Sequence, residues 1–357
     1  MKKFFFIAAV ASAALVSCTK NEVKEPAVQQ EITFAAPVVG LQTKAIPGEL
    51  TDAVYPTGEK FNVYAVWHSG DFAGWSSSSS SLYMDDVQTA YDDTYNGWRP
   101  AERHYWPKNG KMTFAAYSPS DLTATSHSYG AAGLSLTGFQ VAANSANHVD
   151  LLYSKRSYNK EKGSADNTNT PYDEVDIDFL HALSSIQFTA KTAMNYGSTE
   201  IRLKNISVYG VASKGNFAEG INEATPGSYS ATPVWSGQSD VVAEANAYVY
   251  YNNATGQPLT DAQWVMNGQP NQTDLICLPQ TLENTATVVV TYSINPPGAN
   301  TDEVDITLDT TIDALSADVW EPGKRYTYHL TIGLDEITFA PEVTDWVTEV
   351  PVTVPQI

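Results

Sequence analysis

The chain has 357 residues, and its 40 Asp and Glu against 20 Lys and Arg give a formal net charge of −20, so a polyanion such as nucleic acid is excluded as an expected partner. Two cysteines cannot build a disulfide framework once Cys18 is assigned to lipid below, and Cys277, inside Leu275-Ile276-Cys277-Leu278, reads as a small buried thiol. The length suits two domains, each able to bury its own core.

The first seventeen residues set the compartment. Lys2 and Lys3 are a positive start, Phe4 to Val16 is an apolar stretch too short to span a bilayer comfortably, and Leu15-Val16-Ser17-Cys18 closes it as a lipobox. Such a box resembles the site where bacteria attach diacylglycerol to the sulfur, so Cys18 is the expected lipidation site and mature N-terminus. That removes 17 residues (357 − 17 = 340) and two lysines, taking the charge to −22. Several acyl chains hold a protein on a membrane firmly. Thr19, where an Asp would favour the inner membrane, points to the outer membrane. Thr19 to Gln30, with mixed charges and Pro26, reads as a flexible tether.

Strand signals then follow one another. Glu31 to Val39 comes first, followed by Phe61 to Trp67, Lys111 to Tyr117 and Val149 to Tyr153, separated by polar loops that include Ser76 to Ser81. The charged, Asn-rich stretch Ser157 to Tyr172 is the candidate linker, which divides the body into residues 31–165 and 166–357. Beyond it Val175, Ile177 and Phe179 alternate with acidic residues. Ile186 to Ala190, Ile201 to Val208, Asp274 to Pro279, Thr287 to Ile294, Val304 to Leu308 and Arg325 to Leu334 complete the series, with one short helix at Ile312 to Val319. Many short strands at short spacing predict β-sandwiches.

One pentapeptide occurs twice. Glu31-Ile32-Thr33-Phe34-Ala35 returns as Glu336-Ile337-Thr338-Phe339-Ala340, and each copy places Ile and Phe on one face, as in a strand with one buried side. Two readings stand: strands converge on the same β-formers, or a C-terminal strand takes the place of an N-terminal one in another copy.

Signals for chemistry are sparse. The six histidines, His68, His104, His127, His148, His181 and His329, have no metal-ligand spacing, and no G-x-S-x-G elbow, P-loop or GxGxxG occurs. No catalytic residue, metal or cofactor is expected, and the chain does not read as an enzyme. His181 reads as a histidine hydrogen-bonded in a strand connection. Asp173, Glu174, Asp176 and Asp178, like Asp302, Glu303 and Asp305, read as solvated strand faces. Trp98, Tyr105 and Trp106 admit two readings, a glycan platform on an adhesive surface lipoprotein or packing over a sheet edge.

Taken in order, the lipobox, Ile32 to Phe34 with Thr43-Lys44-Ala45, Tyr105-Trp106-Pro107 leading to Met112-Thr113-Phe114-Ala115-Ala116-Tyr117-Ser118-Pro119, Phe179-Leu180-His181-Ala182-Leu183, Leu278-Pro279-Gln280, Trp320-Glu321-Pro322-Gly323-Lys324-Arg325-Tyr326 and Phe339-Ala340-Pro341-Glu342-Val343-Thr344-Asp345-Trp346 resemble the fimbrillin-like type V pilins of Bacteroidetes. The resemblance implies an all-β chain of two tandem transthyretin-like β-sandwich domains, lipoprotein export, and assembly with other pilin subunits into a fimbrium at the cell surface. It also implies a trypsin-like protease that cuts after a basic residue beyond the first strand. Lys44, with Ala45 as the new N-terminus, fits that role, and Lys60 is the next basic residue. Loss of Glu31 to Val39 would open an apolar groove where Ile32 and Phe34 sat. Either Ile337 and Phe339 or the alternating set Val350, Val352 and Val354 could fill it, and Pro351 and Pro355 suit the second set to an edge or inserted strand.

Overall fold

The computed structural model describes residues 30–39, 53–75, 82–162, 174–262, 264–265, 273, 275–295, 304–311, 318–334 and 336–346. Cys18, Lys44, Ala45, Val350, Val352 and Val354 lie outside them. The described chain is all-β, with two short 3₁₀ turns and no α-helix among the described residues. The expected helix is not supported at its end, because Val319 belongs to strand Val319–Trp320, paired with Gln280–Thr281; residues 312–317 lie outside the description.

A nine-stranded sheet organises the N-terminal part, with the order Ala53–Val54, Val38–Val39, Asp178–His181, Leu152–Ser154, Lys111–Ser118, Lys60–His68, Leu82–Asp92, Gly97–Pro100, and Ser157–Lys160 added on Lys111–Ser118. Strand Lys111–Ser118 shows why an apolar run rather than a clean alternation marks its centre. Met112, Phe114 and Ala116 point into one core while Ala115 and Tyr117 point into another, so both faces are buried. The smaller core holds Ile32, Phe34, Tyr55, Phe61, Trp98 and Phe179. The larger one continues into the C-terminal half through Ile186, Phe188, Leu203, Tyr250 and Tyr328.

Pairing crosses the expected division at 165/166 in both directions. Asp178–His181 joins the nine-stranded sheet, and the hairpin Ser126–Gly130 with Gly133–Gln140 pairs through its second strand with Ala212–Ala218. The linker reading also shortens: Ser157–Lys160 is sheet, because Tyr158 packs against Phe72 at 5.1 Å between ring centroids and donates its hydroxyl hydrogen to Glu223. Further along, Glu200–Tyr209 is flanked by Tyr248–Pro258 and Thr287–Asn295, and Ser184–Thr192 runs parallel to Lys324–Ile332, which pairs antiparallel with Ile337–Asp345.

Two buried ionisable side chains tie the halves together. Arg156, its side chain fully buried, donates to Glu223 at 2.6 Å, to Tyr129 Oη at 3.1 Å and to the carbonyls of Gly130 and Ala131, with its guanidinium 4.7 Å from the Trp75 ring centre. Glu219 accepts from the Leu134 N–H at 2.7 Å and from the Tyr229 hydroxyl at 2.9 Å. Gly133 has φ +88° and lies so close that a Cβ there would meet the Glu219 carboxylate at 2.3 Å, so only glycine fits.

Burial pushes the Glu219 carboxyl up to about 7, against the opposing hydrogen bonds from Leu134 and Tyr229 and the charge of Arg156. An acid whose folded pKa is raised binds more protons folded than unfolded between its two pKa values. Its contribution to stability is therefore complete below about 4.5 and is lost as the pH rises through about 7. Urea unfolding at pH 5 and pH 8 should show a loss on the order of 2–3 kcal/mol in the natural protein that is absent from Glu219→Gln.

Candidate assembly site

The N-terminal segment is an inserted strand rather than a sheet edge. On one side the Ile32 N–H donates to the His104 carbonyl at 2.8 Å and the Phe34 N–H to the Trp98 carbonyl at 2.9 Å, while the Trp106 N–H donates to the Gln30 carbonyl at 2.9 Å. On the other side the Ala35 N–H donates to Val175 at 3.1 Å, the Val38 N–H to Ile177 at 3.2 Å, and Thr33 accepts from the Val175 N–H at 2.9 Å. Phe34 accordingly bridges Trp98 in an antiparallel sense and Val175 in a parallel one. Glu31 pairs with Arg103 at the far end.

This departs from the expected continuous strand with one buried side. Regular ladder pairing is confined to Val38–Val39, since the residues before them bond to two different neighbours by single bridges and Pro37 brings no N–H. Thr33 is buried as well as Ile32 and Phe34, at 4 %, 0 % and 1 % exposure, so both sides of the segment face protein. The Phe34 ring stands edge-on to Phe61 at 5.9 Å and Phe114 at 6.0 Å. Burial of Ile32 and Phe34 contributes about 1.5–3 kcal/mol for each side chain.

The second copy of the pentapeptide sits in a different environment. Ile337 lies opposite Ile332 and Phe339 opposite Leu330 in the subunit's own sheet, both half-buried, at the outer edge of the hairpin Lys324–Ile332 and Ile337–Asp345. The Gly333 N–H donates to the Glu336 carbonyl and the Trp346 N–H to the Gly323 carbonyl, and alternation between these pairs puts Pro341 at a non-hydrogen-bonded position. The N–H that proline lacks would thus have faced the open edge, which blunts that edge against further pairing.

Trp98 and Trp106 do not form a surface platform: at 2 % and 7 % exposure they belong to the core around Phe34. Their carbonyl and N–H groups hold the N-terminal segment, so removing it would bare them. With His104, Val175 and Ile177 they are the groove walls that reading the sequence missed. The available signal was the cluster of Trp98, Tyr105 and Trp106 beside Pro100 and Pro107. Val175, Ile177 and Phe179 are buried and Asp176 is exposed, as the alternation requires. Among the described residues no group of three His, Cys, Asp or Glu could hold a metal, and no helix is long and apolar enough to cross a membrane.

At the other end of the same wall, His181 Nδ1 lies 2.5 Å from Asp150 Oδ2, and the imidazole stacks on Trp346 at 3.9 Å with 10° between planes.

The body is all-β and built of several sheets, and its N-terminal segment lies buried between residues 98–106 on one side and 175–177 on the other. A family profile described as fimbrillin-like matches residues 50–346, and the chain belongs to that family. A fimbrial protein from Bacteroides vulgatus is similar in fold, with 16 % identity, a TM-score of 0.53 and coverage of 89 % of this chain and 100 % of that one. A Bacteroides uniformis protein aligns at 14 % identity and TM-score 0.48 over 89 % of this chain and 98 % of that one, and the tip fimbrial protein Mfa3 of Porphyromonas gingivalis at 9 % and 0.36 over 81 % and 94 %. No curated protein matches the chain.

Proposed function

We propose that the protein is a structural subunit of a surface fimbrium that is exported as a lipoprotein, activated by proteolytic removal of its first segment, and polymerised by strand exchange. The observation that supports this reading most is the inserted segment Glu31–Val39: it satisfies backbone groups on two walls and buries Ile32 and Phe34, so its loss opens an apolar slot with unpaired donors and acceptors on both sides. Residues 40–52, which join it to the body, contain one basic residue, Lys44.

Cleavage between Lys44 and Ala45 by a trypsin-like enzyme leaves the segment held only by its own contacts, and a strand from a second copy then displaces it. The tail beyond Trp346 is the better donor. Ile337 and Phe339 already serve the subunit's own sheet, whereas Val350, Val352 and Val354 supply an alternating apolar face of their own. Trypsin treatment of the purified protein tests the proposal: a ladder of oligomers supports it, and cleaved protein that stays monomeric at every concentration refutes it.

Anchoring at the outer membrane is assigned to Cys18. Replacing Cys18 by Ser should move at least nine-tenths of the protein from the membrane fraction to the soluble one, measured by fractionation and immunoblot, because the acyl chains supply the membrane affinity. Unchanged sedimentation with membranes would remove the assignment.

A further inference from the structure

Strand Asp178–His181 touches both ends of the molecule's assembly machinery. Its first two residues pair with the displaceable segment, Asp178 with Val38 and Phe179 with Val39. Its last residue carries the ring on which Trp346 lies, and Trp346 is where the described chain ends before the tail 347–357. Phe179 and His181 are two residues apart, about 7 Å along a strand. His181 is 6 % exposed, and its Nε2 is buried without a partner among the described residues, while Nδ1 is engaged by Asp150. Asp150 adjoins the other neighbour of this strand, since the Ala182 N–H donates to the Leu151 carbonyl and Leu152 pairs with His181.

We propose that Asp150, His181 and Trp346 form a positioning pin for the root of the C-terminal tail, and that removal of the N-terminal segment releases this pin. The inference rests on the strand-exchange reading for its purpose. While Val38–Val39 are in place, strand Asp178–His181 is an interior strand held on both sides. Once they leave, it becomes an edge strand whose remaining backbone partners among the described residues, Leu151 to Lys155, lie on one side, and its end is freer to shift. A stacked, nearly parallel ring pair depends on that position. Opening of the acceptor groove and release of the donor tail are thereby joined in one subunit, and an uncut subunit keeps its tail root held.

Hydrogen exchange of the Trp346 amide, which donates to Gly323 at 2.8 Å, reads the pin directly in the monomer and needs no polymer. In full-length uncut protein the amide should be protected. After cleavage and removal of the segment its exchange should rise at least tenfold, while the Leu330 amide in the same hairpin changes less than twofold. Unchanged Trp346 exchange overturns the proposal, even if polymers form. Should the stripped subunit unfold, His181→Ala in the uncut protein gives the second reading: Trp346 exchange should rise at least tenfold without cleavage, and His181→Phe, which keeps a ring to stack on, should restore at least half of the protection. A His181→Ala protein with wild-type Trp346 exchange would also overturn it. Failure of strand exchange itself is distinguishable, because that appears as absence of the oligomer ladder with the pin intact or not.

Discussion

Lys44→Ala will leave the protein as a lipidated monomer that still carries residues 31–39, and the oligomer ladder produced by trypsin-like processing will be lost. The expectation follows from where basic residues can be reached. Lys44 is the one basic residue in 40–52, a stretch whose two glycines and one proline are the composition expected of a protease-sensitive connection. Lys60, the next along the chain, is a poor substitute although its side chain is exposed. It opens strand Lys60–His68, is paired with Ala90, and its carbonyl accepts from the Tyr55 hydroxyl at 2.9 Å and the Ser120 N–H at 3.2 Å. Cleavage there would require local unfolding of the sheet. Cleavage at Lys44 alone does not free the segment, since its hydrogen bonds to both walls and the burial of Ile32 and Phe34 remain. A cut subunit is therefore expected to lose the segment slowly, by dissociation or to a competing strand, and not at the moment of cleavage. Full-length polymers from Lys44→Ala with no Ala45 N-terminus would show that the activating cut lies elsewhere.

Truncation after Trp346 will give a subunit that is cut normally and accepts a donor, yet cannot donate. Added to intact subunits, it should cap growing chains, shortening them in proportion to its mole fraction as read by gel ladder or electron microscopy. The choice of end point is dictated by the fold. Removing everything after Leu334 would strip Ile337–Asp345 from Lys324–Ile332 along nine paired residues and uncover Leu330 and Ile332. Such a variant would lose stability and donation together. Ending at Trp346 keeps the sheet, the bond to Gly323 and the stack on His181. Polymers of normal length formed by the Trp346-terminated protein alone would exclude the tail as donor.

The strand pattern was legible where burial is local. Lys60–His68, Lys111–Ser118, Ser184–Thr192 and Thr287–Asn295 follow from their β-branched, aromatic and alternating residues. The fold was not legible where partners lie far apart in sequence. Nothing in Ser126–Gln140 announces that its second strand joins Ala212–Ala218, because hydrogen-bond pairing leaves no trace in composition. The two copies of the pentapeptide make the same point more sharply. Identical residues are fully buried at Ile32 and Phe34 and half-buried at Ile337 and Phe339, since one copy has neighbours on both sides and the other lies at the edge of its sheet among the described residues. Trp98 and Trp106 looked available for a ligand in a loop-rich stretch, yet what covers them is a segment some seventy residues earlier in the chain. Glu219 did carry a signal. Period-two alternation from Phe217 puts it on the buried face, where a carboxylate calls for the hydrogen bonds that Leu134 and Tyr229 provide.

In the proposed assembly, the slot held by residues 31–39 in one copy receives the tail of another. Polymers grown from equal amounts of nitrogen-14 and nitrogen-15 subunits, cross-linked and analysed by mass spectrometry, address it directly. Strand exchange should give mixed-isotope links between residues 347–357 and the walls around Trp98, His104 and Val175, in subunits that no longer contain residues 31–39. Polymers whose subunits retain residues 31–39 in place, with tail links only within a single isotope, would contradict it.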